Sequence, residues 1–172
     1  MMLKNNVFLI GFMGCGKSTI SKMLSEKLGL KMVDSDEYIE NEQNMKISDM
    51  FKKYGEEYFR KCETEFLAGL SSSEGYIVAC GGGMAVNEKN VSLMKQKGTV
   101  IMLTATAETI FERVRRSTHR PLLNGNMNID YIRKLMNERT PAYTNACDCM
   151  ISTDNKSPSV IADEIIGVIV QP

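Results

Sequence analysis

The chain has 172 residues, with 21 Lys plus Arg against 21 Asp plus Glu, 43% hydrophobic and 24% charged. That length suffices for one domain with a substantial core, the composition lies well away from that of disordered chains, and the balanced charge leaves no basic surplus to attract a nucleic-acid backbone. Five cysteines without C-x-x-C spacing indicate neither a disulfide framework nor a zinc site, and no apolar run approaches the roughly 20 residues that cross a bilayer. The expectation is therefore a soluble cytoplasmic protein with reduced thiols, no nucleic-acid or membrane partner, and a size that permits a monomer.

The elements alternate along the chain. Residues 7–10 form an apolar run that reads as a buried strand; it is too short for a signal peptide and leads into no small-residue cleavage site. Residues 18–28 place Ile20, Met23, Leu24 and Leu28 on one helical stripe, which Gly29 ends. A second strand at 31–33 is followed by a short helix at 37–42, and a helical stretch at 50–70 carries a break at Gly55. Strands are predicted at 76–79, 99–103 and 149–152, separated by helices at 87–97, 106–116 and 129–144. The last helix opens with Ser157 as N-cap and Pro158 at its first position. Residues 117–128 are polar and without period, which predicts a mobile lid. Apolar strands alternating with amphipathic helices predict a single α/β domain over 1–172, a three-layer α/β/α sandwich on a five-stranded parallel sheet. The 13 methionines read as core filler.

Gly11-Phe12-Met13-Gly14-Cys15-Gly16-Lys17-Ser18 fits G-x-x-x-x-G-K-[ST] directly after a predicted strand and before a predicted helix. The glycines let backbone N–H groups turn toward phosphate oxygens at a helix N-terminus. Lys17 then reaches the β- and γ-phosphates and the Ser18 hydroxyl ligates Mg²⁺. A chance match in a chain this long is on the order of 1%. The nucleotide-binding set is thus Gly14, Cys15, Gly16, Lys17, Ser18 and Thr19, with ATP and Mg²⁺ expected as cofactors. A guanine-reading N-K-x-D motif is missing, since Asn155-Lys156 is followed by Ser157-Pro158.

Four further segments and one arginine fall in order along the chain: Asp34-Ser35-Asp36, Gly55-Glu56-Glu57-Tyr58-Phe59-Arg60, Gly81-Gly82-Gly83, Arg120-Pro121-Leu122-Leu123, and Arg139 within Glu138-Arg139-Thr140-Pro141-Ala142-Tyr143. Together with the cradle they resemble the shikimate kinase family over essentially the full length. The resemblance implies transfer of the ATP γ-phosphoryl group to the 3-hydroxyl of shikimate, on the route to aromatic amino acids. It also implies that Asp34 supports Mg²⁺ through water, that Asp36 binds the substrate hydroxyls and accepts the attacking proton, and that the substrate lies against Gly81, Gly82 and Gly83. Arg116 and Pro158 would flank the adenine.

The residue chemistry agrees with several of these roles. Arg60 and Arg139 offer rigid guanidinium forks suited to a carboxylate, and Glu63, three residues after Arg60, is placed to brace it. Three glycines in a row remove side chains where a strand ends, so that backbone N–H groups can approach a ligand. Arg120, in the lid, is placed to bring positive charge onto transferring phosphate oxygens. The catalytic set is then Lys17, Asp36 and Arg120. If the second strand persists, Asp34 and Asp36 alternate faces; alternatively Asp36 is only the N-cap of the next helix. Other readings are a different small-molecule kinase, gluconate-type or acting on nucleoside monophosphates, and a nucleotide-binding regulator without catalysis.

Overall fold

The structure, a computed structural model, describes residues 6–115 and 128–170. Arg116 and Arg120 lie outside the described residues, as does all of the expected lid except Asn128.

Five strands, β1 (Asn6–Ile10), β2 (Lys31–Asp34), β3 (Tyr76–Ala79), β4 (Gly98–Thr104) and β5 (Cys149–Ser152), form one sheet in the order β2-β3-β1-β4-β5. Every pairing is parallel. The centre is formed by β1, whose five residues are all buried, as a strand with neighbours on both sides and helices on both faces requires. Around it Ile77, Val78, Val100, Ile101 and Leu103 complete a buried apolar core.

Eight α-helices flank the sheet among the described residues: α1 (Lys17–Leu28), α2 (Ser35–Gln43), α3 (Ile47–Tyr54), α4 (Glu56–Gly69), α5 (Glu88–Lys97), α6 (Ala107–Val114), α7 (Ile129–Ala146) and α8 (Pro158–Ile169). The predicted stripe of α1 is real: Ile20 and Leu24 are buried, and Met23 and Leu28 pack against the core. Gly29 closes α1 in the left-handed region at φ 65°, and Gly55, at φ 83°, separates α3 from α4 where the sequence predicts a break. Thr106, Asn128 and Ser157 cap α6, α7 and α8 by accepting from backbone N–H groups. The predicted helix at 129–144 continues through Pro141 to Ala146.

Register decides where the chemistry gathers. Asp34 pairs with Ala79, and Ala79 with Leu9, so β2, β3 and β1 stop almost level with one another. The chain passes from β1 outward to β2 and from β3 across β1 to β4. The successive crossovers therefore diverge at the carboxyl ends of β1 and β3, the crevice in which open α/β sheets hold ligands.

Candidate active site

The phosphate cradle leaves β1 at Gly11 and enters α1 at Lys17. Gly16 forms the N-cap of α1 at φ 103°, a conformation strained for any residue with a Cβ. Gly14 is fixed twice over: its φ is 78°, and a Cβ there would lie 2.7 Å from Val114 Cγ1 of α6. The Lys17 ammonium is held at the loop by the carbonyls of Gly11 at 2.7 Å and Phe12 at 3.1 Å. Sequence reasoning gave no role to Arg113. From α6 its Nη1 donates to the carbonyls of Gly14 and Cys15 at 3.2 and 3.3 Å and to Thr153 Oγ1 at 3.0 Å, while Nη2 donates to the Thr153 carbonyl at 3.1 Å. One guanidinium thus ties the cradle to the end of β5. Pro158, expected beside the adenine, is exposed in the first turn of α8.

Ser18 and Asp34, the expected metal residues, are in contact: the Ser18 hydroxyl donates to Asp34 Oδ2 at 3.1 Å. The other oxygen of Asp34 accepts from the backbone N–H groups of Asp36 and Glu37 at 3.1 and 3.2 Å and so caps α2. This corrects two expectations. The strand does not persist past Asp34, so alternation does not separate the two aspartates, and the N-cap is Asp34 rather than Asp36. With the helix capped one residue pair earlier, the Asp36 carboxylate is free of that duty.

Asp36 instead points at the glycine turn. Its Oδ1 is buried and has no hydrogen-bond partner among the described residues. Burial first, then the charge of Asp34, raises its pKa to about 6, against the opposing pull of Lys17 and Arg60. A side chain on Gly81 would collide with this carboxylate, and one on Gly83 would collide with the Arg60 guanidinium. Without a Cβ, these two positions leave the carboxylate and the guanidinium room to stand where they do. The Gly81 N–H is not available to a ligand as expected from sequence, because it donates to the buried Ser35 hydroxyl at 2.8 Å.

Gly82 does its work through its carbonyl, which accepts from Arg139 Nη1 at 3.1 Å and from the Tyr143 hydroxyl at 2.6 Å. Tyr143 is buried and was not singled out from sequence, although its place four residues after Arg139 puts both on one face of α7. Arg60 donates to Glu63 Oε2 at 2.9 Å as expected, and also to Glu56. Glu63 is fully buried, and its Oε1 has no hydrogen-bond partner among the described residues; desolvation raises its pKa, with Arg60 pulling the other way. The structure thus brings Asp36, Arg60 and Arg139 around one bare turn, next to the cradle on β1. Two cations and a partly desolvated carboxylate suit an acceptor that carries both an anionic group and hydroxyls.

A parallel sheet in this order, with a phosphate cradle at its central strand and Asp36, Arg60 and Arg139 gathered at the turn after the adjoining strand, defines a P-loop kinase of small molecules. Comparison with known proteins gives the particular family. The shikimate kinase family model matches residues 13–170. The chain is 44% identical over 162 residues to the shikimate kinase of Persephonella marina, covering 94% of this chain and 97% of that one. It is 42% identical over 165 residues to a shikimate kinase of Dehalococcoides mccartyi, covering 96% and 93%. Among solved structures, the Acinetobacter baumannii shikimate kinase in complex with shikimate superposes with a TM-score of 0.87 at 34% identity, covering 96% of this chain and 93% of that one. A gluconokinase from Sinorhizobium meliloti, at 11% identity and a TM-score of 0.58, shares the fold alone. The chain belongs to the shikimate kinase family.

Proposed function

We infer that this chain transfers the γ-phosphoryl group of ATP to the 3-hydroxyl of shikimate, giving shikimate 3-phosphate and ADP. The carrying observation is the convergence of Asp36, Arg60 and Arg139 on the Gly81–Gly83 turn beside Lys17. The Acinetobacter baumannii relative, solved with shikimate, supports the same acceptor for this chain.

In this reading Arg60 and Arg139 orient the acceptor by its carboxylate, and Asp36 receives the proton of the attacking hydroxyl. A new bond forms between that oxygen and the γ-phosphorus, the bond from the γ-phosphorus to the bridging oxygen breaks, and ADP leaves with the electron pair. A carboxyl with a pKa near 6 is ionised at neutral pH yet basic enough to hold a proton, which suits it to this task. Lys17 neutralises charge on the transferring oxygens. Ser18 and Asp34 fit a Mg²⁺ site: a hydroxyl and a carboxylate face each other at 3.1 Å at the cradle, the few protein oxygens that this ion takes alongside phosphate and water. Bound there, Mg²⁺ would neutralise phosphate charge. Arg120, with Arg116 outside the described residues, is assigned to the phosphates by resemblance, and Arg116 with Pro158 to the adenine.

We place the enzyme in the cytoplasm as a single-domain monomer. The five cysteines are free thiols, and no helix of the described residues is long and apolar enough to cross a membrane. An acceptor panel tests the assignment: with ATP and Mg²⁺, ADP release is expected with shikimate and not with gluconate or AMP. Turnover of gluconate or AMP in place of shikimate would overturn it.

A further inference from the structure

The fork of Arg60 is already in use. Its Nε and Nη2 both donate to Glu56 Oε1, at 3.1 and 2.7 Å, and Nη1 donates to Glu63 Oε2 at 2.9 Å. A guanidinium can grip a carboxylate side by side along the edge made by Nε and Nη2 or along the edge made by the two Nη atoms. Glu56 sits on the first edge, and Nη1, which the second edge needs, already serves Glu63. The guanidinium is packed where it stands, beside the bare turn at Gly83, where a Cβ would overlap it, and with the Phe59 ring centroid 5.4 Å from Cζ.

The two glutamates are unequal. The Glu63 side chain is 0% exposed and the Glu56 side chain 64% exposed. Glu63 has no route to water, so its bond to Arg60 is a fixed part of the site. Glu56 is the first residue of α4, just after the break at Gly55, and can swing into solvent at little cost, because an exposed i,i+4 ion pair is weak.

We propose that Glu56 is a displaceable internal stand-in for the substrate carboxylate on Arg60, so that the acceptor binds by exchanging one carboxylate for another on the Nε/Nη2 edge. The inference rests on the reading of Arg60 as a carboxylate-gripping residue. Glu63 holds Nη1 throughout, and exchange keeps the Nε/Nη2 edge hydrogen-bonded both without and with the acceptor. It also disfavours acceptors without a carboxylate, which have nothing to put in place of Glu56.

The test is a double-mutant cycle on KM for shikimate with KM for ATP as the internal control, using wild type, Glu56→Gln, Arg60→Lys and the double variant, each checked for folding by circular dichroism. Arg60→Lys should raise KM for shikimate. Glu56→Gln should lower it about 2- to 5-fold, with kcat and KM for ATP moving far less, and this gain should vanish in the Arg60→Lys background. If Arg60→Lys raises KM but Glu56→Gln leaves it unchanged or raises it, Glu56 orients the arginine or is idle and the inference falls alone. A gain that persists in the double variant would reduce Glu56 to a general charge effect and overturn the inference as well. If Arg60→Lys matches wild type, the carboxylate fork and this inference fall together.

Discussion

The two halves of the site are held by different forces. The phosphate half, Gly11 to Ser18, is one continuous loop whose shape comes from backbone conformation: Gly14 and Gly16 at positive φ, and carbonyls gripped by Lys17 and Arg113. The acceptor half is discontinuous. It takes Asp36 from α2, Arg60 from α4, the turn after β3 and Arg139 from α7, and it holds two buried carboxylate oxygens, on Asp36 and Glu63, without hydrogen-bond partners among the described residues. A backbone cradle suits what all nucleoside triphosphates share, whereas three side chains and a bare turn, brought together from four places in the chain, suit one particular acceptor. Stability and function also diverge between them, since the acceptor half contains desolvated charge that the fold alone would not favour.

Asp36→Asn breaks the comparison hardest. Turnover should fall by roughly 10²- to 10⁴-fold with the loss of the proton acceptor, while the protein becomes more stable. A raised carboxyl pKa contributes stability only while the group is protonated: it is fully present below the unfolded value of 3.8 and is lost as pH rises through about 6. Removing the charge should therefore stabilise the fold by about 1 to 3 kcal/mol at pH 8 and by little at pH 4, read from denaturant melts at the two pH values. The same group gives kcat/KM for shikimate an acid limb, with activity lost as pH falls below about 6. Equal melts at both pH values would mean that Asp36 is not desolvated.

Arg139→Lys comes next. A lysine replaces the fork by a point charge, so KM for shikimate should rise on the order of 10-fold or more, since each 1.4 kcal/mol is a factor of ten, with KM for ATP nearly unchanged. Equal shifts in both would remove the carboxylate role. Arg113→Ala should give the smallest effect and the mirror image of this pattern: a few-fold increase in KM for ATP, as hydrogen bonds of about 1 kcal/mol each are lost from the cradle, and no change for shikimate. An increase for shikimate alone would dissolve the division between the halves.

The same division explains what the sequence made legible. The cradle is contiguous, so its spacing, strand and helix are all visible in one window, and five apolar runs with short helical stripes between them suffice for the sheet. Gly55 and the caps at Thr106, Asn128 and Ser157 are local signals for the same reason, of which Ser157 was read. Tyr143 carried a readable signal in its spacing from Arg139. Arg113 did not: its partners Gly14 and Cys15 lie 99 and 98 positions away, and one arginine on an amphipathic helix looks like any other. That Asp34 rather than Asp36 caps α2 turned on where a four-residue strand stops, a boundary that neighbouring strands set and local pattern does not. Gly81 to Gly83 were read as bare so that a ligand could approach, whereas what Gly81 and Gly83 make room for is Asp36 and Arg60, side chains from other elements.

The most direct measurement of the whole assignment is phosphorus NMR of the product that the wild-type enzyme forms from ATP, Mg²⁺ and shikimate. A single new phosphomonoester on the 3-hydroxyl, formed in step with ADP, is predicted; a phosphate on another hydroxyl, or ADP and inorganic phosphate with shikimate left intact, would contradict it.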